Sequence, residues 1–167
     1  MNEPRNVADE YHLFAGKFIT AYANLEWGLR WLAKILSGLD DDQYQALVGY
    51  PRSGDLRALV KKLADLKDLD AKKRRDVESA FNQLTIISKV RDWIVHYGAL
   101  SSNEGKTFAV RKNESASSHT EFDLEKLKPA LDDLYQISKV LTYNLADIPL
   151  TGSFDGTWRY KPLPPLH

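Results

Sequence analysis

Residues 7–36 read VADEYHLFAGKFITAYANLEWGLRWLAKIL, and this stretch decides the fold class. Its apolar residues recur at three- and four-residue intervals, which is the spacing of one helix face. They are Phe14, Phe18, Ala21, Leu25, Leu29, Leu32 and Leu36. Trp27 and Trp31 lie four apart on a neighbouring stripe, so the apolar arc is broad enough to need two packing partners. Gly38 should end the helix, because glycine suits a left-handed cap.

Further helices follow along the chain. A short one is expected at about 41–48, and amphipathic spacing predicts two more at about 53–66 and 71–95. Asp123 should cap the last helix, in which Pro129 should either produce a kink or move the start. The sequence therefore predicts a mainly α protein, an up-and-down bundle of about four to five helices.

Two segments depart from this pattern. Residues 99–122 contain turn residues, a short alternating run and a serine-rich tip, which predict a β-hairpin or a long loop before the last helix. Residues 151–167 are rich in proline, glycine and aromatic side chains. We expect an extended tail there that packs on the domain or on a partner, with the helical domain itself covering 1–150.

The composition excludes several classes of protein. Basic and acidic residues balance at 23 each, whereas a dedicated duplex binder usually carries an excess of positive charge. There is no cysteine, so disulfides and thiolate metal sites are excluded. The N-terminus lacks the apolar core of a signal peptide, and no apolar run approaches the roughly 20 residues that span a bilayer. We therefore expect a cytoplasmic protein that does not enter a membrane.

One segment is not explained by core packing: RDWIVHYG, residues 91–98, at the end of the fourth helix. Asp92 and His96 are four residues apart and can meet on one helix face. Arg91 and His96 lie about 140° apart on an ideal helix, so one regular helix does not bring them to the same small group. They converge only if the helix ends or distorts near His96, as Gly98 allows, or if two copies of the helix face each other in a dimer.

These residue types suit RNA cleavage without a metal. An imidazole titrates near neutral pH and can accept the proton of a ribose 2′-OH or give one to a leaving oxygen. The Arg91 guanidinium can hold the scissile phosphate through two hydrogen bonds, and Asp92 can orient the His96 imidazole. The alternative interpretation is an ion-pair and capping cluster, since a protonated histidine near a helix C-terminus is stabilising by itself.

The strongest basic run is Lys72, Lys73, Arg74 and Arg75. On a helix these charges spread around the axis, so they form either a solvated face or one wall of an RNA track. The histidines show no metal-ligand spacing, and no carboxylate cluster or glycine-rich phosphate loop is evident. The sequence predicts neither a metal nor a cofactor.

The segment RDWIVH resembles the motif of HEPN domains, in which four residues separate an arginine from a histidine. The context is similar too: NLEWGLRWL (24–32) in the long first helix, DLRALVKKLADL (55–66) in a middle helix, and His-Tyr-Gly after the motif. The resemblance covers roughly residues 8–146. It implies a helical bundle, frequently dimeric, whose two motifs meet in a cleft at the dimer interface.

The resemblance also implies functions. Many HEPN proteins are metal-independent endoribonucleases in toxin–antitoxin, phage-defence or RNA-processing systems, while others bind RNA or nucleotides without cutting, or act as assembly domains. Carried over by position, Arg91 and His96 are the candidate catalytic pair, and Asp92 is the polar supporter where Asn is commoner. The implied partners are single-stranded RNA, a second copy of the chain and an antitoxin protein.

Two further residues are candidate supporters of the motif. Glu26, in the apolar middle of the first helix, is a candidate for the additional polar residue that some HEPN proteins place near the motif; it is equally a solvated position or a partner for Arg30. Tyr97 directly follows the histidine, whereas similar toxins often carry a tyrosine two residues after it, the place that Gly98 occupies here.

Overall fold

The computed structural model describes residues 7–97, 100–101, 107–112, 119–149 and 154–161. The prediction of a mainly α protein is confirmed. The helices are α1 (Val7–Ser37), α2 (Asp41–Leu47), α3 (Ser53–Asp65), α4 (Ala71–Tyr97) and α5 (Leu124–Ala146). Within these described ranges, no helix combines the length and the apolar content needed to cross a membrane.

The turn between α1 and α2 follows from its capping residues. Gly38 adopts the predicted left-handed conformation, with φ at +67°. The Asp40 carboxylate then accepts the backbone N–H of Gln43 at 2.8 Å, and the Gln43 side chain accepts the N–H of Asp40 at 3.2 Å. This reciprocal capping box satisfies two N–H groups that the first turn of α2 would otherwise leave unpaired.

Helix α5 starts where its cap predicts. The Asp123 carboxylate accepts the backbone N–H of Lys126 at 3.2 Å, and the first helical residue is Leu124. Pro129 lies inside the helix. The prediction that Pro129 moves the start of the helix is therefore wrong. The helix continues past this position, although proline has no N–H donor.

In the described part of the segment between α4 and α5 there are three short strands: β1 (Leu100–Ser101), β2 (Thr107–Lys112) and β3 (His119–Asp123). They pair antiparallel in the order β1-β2-β3, and the register of β2 with β3 runs from Phe108 opposite Asp123 to Lys112 opposite His119. The connections at 102–106 and 113–118 lie outside the described residues. The hairpin or long loop expected over 99–122 therefore stays a prediction.

The chain divides into two compact units. The first takes in α1 up to Tyr22, α4 from Thr85 onward, the strands, α5 up to Leu134, and the chain from Trp158. Among the residues whose burial is described, its buried apolar side chains come from three helices and from one residue near the C-terminus. They are Tyr11, Phe18, Ala21, Tyr22, Ile87, Val90, Leu127, Ala130, Leu131, Leu134 and Tyr160.

The second unit takes in the remainder of α1 and α4, all of α2 and α3, and α5 from Tyr135 onward. The buried side chains of its long helices fall at three- and four-residue intervals, as the sequence pattern requires for helix faces that pack together. They include Leu25, Leu29 and Leu32 of α1, Leu56, Val60 and Ala64 of α3, Val77, Ala80, Phe81 and Leu84 of α4, and Ile137, Val140, Leu141 and Leu145 of α5.

Candidate functional site

Arg91 is held at the surface of the first unit by two neighbours. Its Nη1 atom donates to Asp92 Oδ1 at 3.1 Å, and its Cζ atom lies 6.0 Å from the centre of the Tyr22 ring. The Arg91 side chain remains 38% exposed. A guanidinium has five N–H donors, and the described residues engage one of them, which leaves the others for a ligand such as a phosphate.

His96 is exposed near the end of α4, and in the described part of the chain its imidazole has no hydrogen-bond or ion-pair partner. The helix stays α-helical through Tyr97. Five regular helical steps put Arg91 and His96 about 140° apart around the axis and about 7.5 Å apart along it. The helix does end near His96, at Tyr97, but it is α-helical between Arg91 and His96, so the end of α4 does not bring the two side chains together.

Asp92 makes a different contact from the expected one. Its carboxylate pairs with Arg91, and the pairing with His96 that the four-residue spacing allows does not occur among the described contacts. Arg91 is the immediate neighbour of Asp92 and its guanidinium carries a full charge, so it competes with His96 for the carboxylate. Asp92 therefore neutralises part of the positive charge that a phosphate would meet.

Glu26 and Tyr97, the two residues predicted to support the motif, make no described contact with it. Glu26 is half-buried on the part of α1 that belongs to the second unit, and within the described residues it makes no ion pair, with Arg30 or any other cation. Tyr97 is the last residue of α4, and its side chain lies outside the part of the structure that is described. The proposed roles of both residues stay predictions.

The basic run at the start of α4 is only partly free. Lys72 pairs with Asp76 at 3.1 Å, and Lys73 donates to Asp147 Oδ1 at 3.0 Å. Arg74 and Arg75 are exposed, and neither makes an ion pair in the part of the chain that the structure describes. Two of the four predicted RNA contacts are thus engaged within the chain and two are available.

The contact of Lys73 belongs to a cluster at the C-terminus of α5. Asp147 accepts from Lys67 at 2.9 Å as well as from Lys73, and these hydrogen bonds lower the pKa of its carboxyl group. Lys67 also donates to the carbonyl oxygen of Leu145 at 2.7 Å, which satisfies a carbonyl at the end of the helix. The cluster therefore caps α5, and its role is structural.

Sequence reasoning missed the buried carboxylate of Asp133, which is 2% exposed. Its two oxygens accept the backbone N–H groups of Arg159 and Tyr160, each at 2.9 Å. Tyr160 is buried in turn, and burial raises the pKa of its phenol to about 12. The signal was present, because Asp133 falls in helical register with the buried residues Ala130 and Ile137.

The comparisons with known proteins add no relative. No protein-family model, curated protein or solved structure matches the chain. Among the described residues there is also no group of three or more histidine, aspartate or glutamate side chains placed to hold a metal ion.

Proposed function

We propose that this protein is a cytoplasmic, HEPN-type endoribonuclease that cuts single-stranded RNA without a metal and acts as a homodimer. The observation that carries the proposal is the accessibility of the motif. The side chains of Arg91 and His96 both reach solvent at the end of α4, and neither is part of the buried core. Burial of both side chains in ion pairs within the chain would instead favour a structural role.

The dimer is part of the proposal because of helix geometry. With α4 regular through Tyr97, the motif residues of one chain point about 140° apart. A second α4 facing the first across a two-fold axis would place Arg91 of one chain near His96 of the partner subunit, and the symmetry would generate two such sites.

In the proposed reaction the ribose 2′-OH is the nucleophile. The imidazole of His96 accepts the 2′-OH proton as the 2′ oxygen attacks phosphorus, and the bond to the 5′ oxygen breaks. The His96 imidazolium formed in this way gives its proton to the leaving 5′ oxygen, so the products are a 2′,3′-cyclic phosphate and a 5′-OH end. Arg91 stabilises the negative charge that develops on the non-bridging phosphate oxygens.

The resemblance of RDWIVH to the HEPN motif supports a setting in a toxin–antitoxin or phage-defence system, in which an antitoxin protein would restrain the nuclease. Unregulated cleavage of cellular RNA would harm the host, so such an enzyme needs a partner of this kind. The test is expression of the chain in growing cells. Growth arrest by the wild-type chain, and no arrest by the His96→Ala variant, supports this setting.

The direct test is RNA cleavage by the purified protein in EDTA. His96→Ala should reduce the rate by at least about 100-fold, the usual contribution of a general acid or base. His12→Ala is the matched control, because His12 is also an exposed helical histidine. Full activity in a folded His96→Ala protein would overturn the proposal, as would products with a 3′-OH end.

The contact between Arg91 and Asp92 favours a second candidate, a non-catalytic RNA- or nucleotide-binding or assembly module. A carboxylate 3.1 Å from the guanidinium weakens its hold on a phosphate, and among the described residues no group orients the His96 imidazole. This candidate predicts binding of RNA or nucleotide without cleavage. Arg91→Ala should abolish the binding, while Lys89→Ala, an exposed change on the same helix, should preserve it.

A further inference from the structure

A cavity of about 280 Å³ opens in the second unit between α3 and α4. Four apolar side chains form its floor: Ala64, Leu69, Val77 and Phe81, all less than 10% exposed. The cavity lies near the lower end of the size range of small-molecule sites, which are typically apolar with a few polar groups that fix orientation. Its size therefore suits a ligand smaller than a nucleotide.

Four charged side chains line the same cavity at its exposed edge. Lys61 and Asp65 lie four residues apart on α3, and Arg74 and Glu78 lie four apart on α4. Spacing of this kind allows an ion pair within each helix. Among the described residues, however, none of these four side chains makes an ion pair or a hydrogen bond.

The charges therefore remain available, two of each sign, around an apolar floor. Their sum is zero, so the edge has no overall attraction for an anion or a cation. The carboxylates of Asp65 and Glu78 would repel a phosphate group that approached Arg74. A complementary ligand carries one positive and one negative group close together, next to an apolar group.

We propose that this cavity binds a free α-amino acid with an aliphatic or aromatic side chain. The guanidinium of Arg74 takes the ligand carboxylate, for which its planar pair of N–H donors is suited, with Lys61 as the second cation. Glu78 and Asp65 accept from the ligand ammonium group. The ligand side chain covers the apolar floor, and site and ligand each have no net charge.

Binding of an amino acid in this cavity is independent of RNA cleavage and can be measured directly. Isothermal titration calorimetry of the full-length protein with L-leucine and L-phenylalanine should show saturable binding of one ligand per chain. Three probes test the recognition elements in turn: glycine lacks the apolar group, N-acetyl-L-leucine the ammonium and L-leucinamide the carboxylate. Each should bind at least about tenfold more weakly, since a tenfold change corresponds to one modest polar or apolar contact.

Substitutions locate the site. Arg74→Gln and Glu78→Gln should each weaken L-leucine binding at least about tenfold, and both positions are exposed, so the helical signal should be unchanged. Lys62→Gln and Asp68→Asn are the matched controls, because both are exposed charged neighbours that do not line the cavity. No saturable binding of either amino acid at millimolar concentration would overturn the proposal, as would equal affinity in the Arg74→Gln protein.

Discussion

Replacing Asp133 by alanine is expected to lower the free energy of unfolding by about 2–4 kcal/mol. The carboxylate accepts the N–H groups of Arg159 and Tyr160, each at 2.9 Å. A hydrogen bond to a charged group contributes about 1.5–3 kcal/mol. The sum is reduced because alanine removes the cost of burying the carboxylate, and because water can reach the half-buried N–H of Arg159.

Asp132 provides the matched control on the same helix. Its carboxylate pairs with the Arg159 guanidinium at 2.6 Å, but the two side chains are 51% and 71% exposed. Exposed ion pairs contribute about 0–1 kcal/mol, so Asp132→Ala should have little effect. Both substitutions replace aspartate by alanine in α5, so the change in helix propensity cancels in the comparison.

The assay is urea unfolding followed both by tryptophan fluorescence and by far-ultraviolet circular dichroism. Coincident transitions establish two-state behaviour, and an unchanged slope ensures that the shift in midpoint reports stability. The melting temperature of the Asp133→Ala protein should fall by about 5–15 °C, at about 2–4 °C per kcal/mol for a chain of this size. Hydrogen exchange should also show faster exchange of the Arg159 and Tyr160 amides.

Equal losses in Asp133→Ala and Asp132→Ala would refute the reasoning. So would unchanged protection of the two amides, because it would mean that Asp133 does not hold this part of the chain against α5.

Two further predictions concern backbone conformation and pH. Gly38→Ala should cost about 1–2 kcal/mol, because φ there is +67°, whereas Gly16→Ala should gain about 0.5–1 kcal/mol within an exposed helical turn. Thermal unfolding distinguishes the two, and shifts of the same sign would contradict the argument. The lowered pKa of Asp147 means that its bonds to Lys67 and Lys73 stabilise the fold above the unfolded pKa of about 3.9 and are lost as pH falls through the folded value. Asp147→Asn should therefore be less stable than the parent at about pH 6 and equally stable at about pH 2, while a constant deficit would exclude this linkage.

The helices could be predicted because their signals are local. The apolar period of residues 7–36 predicted a helix that the structure places at Val7–Ser37, and Gly38 and Asp123 ended and began helices as expected. In each case the deciding residues lie within a few positions of the feature that they determine.

The contacts that the sequence did not predict are of two kinds. In one, neighbouring side chains compete for the same partner; in the other, the two residues are far apart in sequence. The spacing of Asp92 and His96 allowed a pair, but Arg91 is adjacent and competes for the carboxylate. Lys73 belonged to a run of four positive charges, and only the folded chain brings Asp147 to it, 74 residues later. Helix period alone does not show which of several possible partners a charged side chain will take.

The most direct test of the proposed nuclease is complementation between two inactive variants. Arg91→Ala and His96→Ala proteins, each folded and each inactive alone, are unfolded together, refolded as a mixture and assayed on single-stranded RNA in EDTA. If each site combines Arg91 of one chain with His96 of the partner subunit, mixed dimers contain one intact site and the mixture should recover about a quarter of the wild-type rate. No recovery beside an active wild-type protein would contradict a shared site, and an inactive wild-type protein would contradict the nuclease itself.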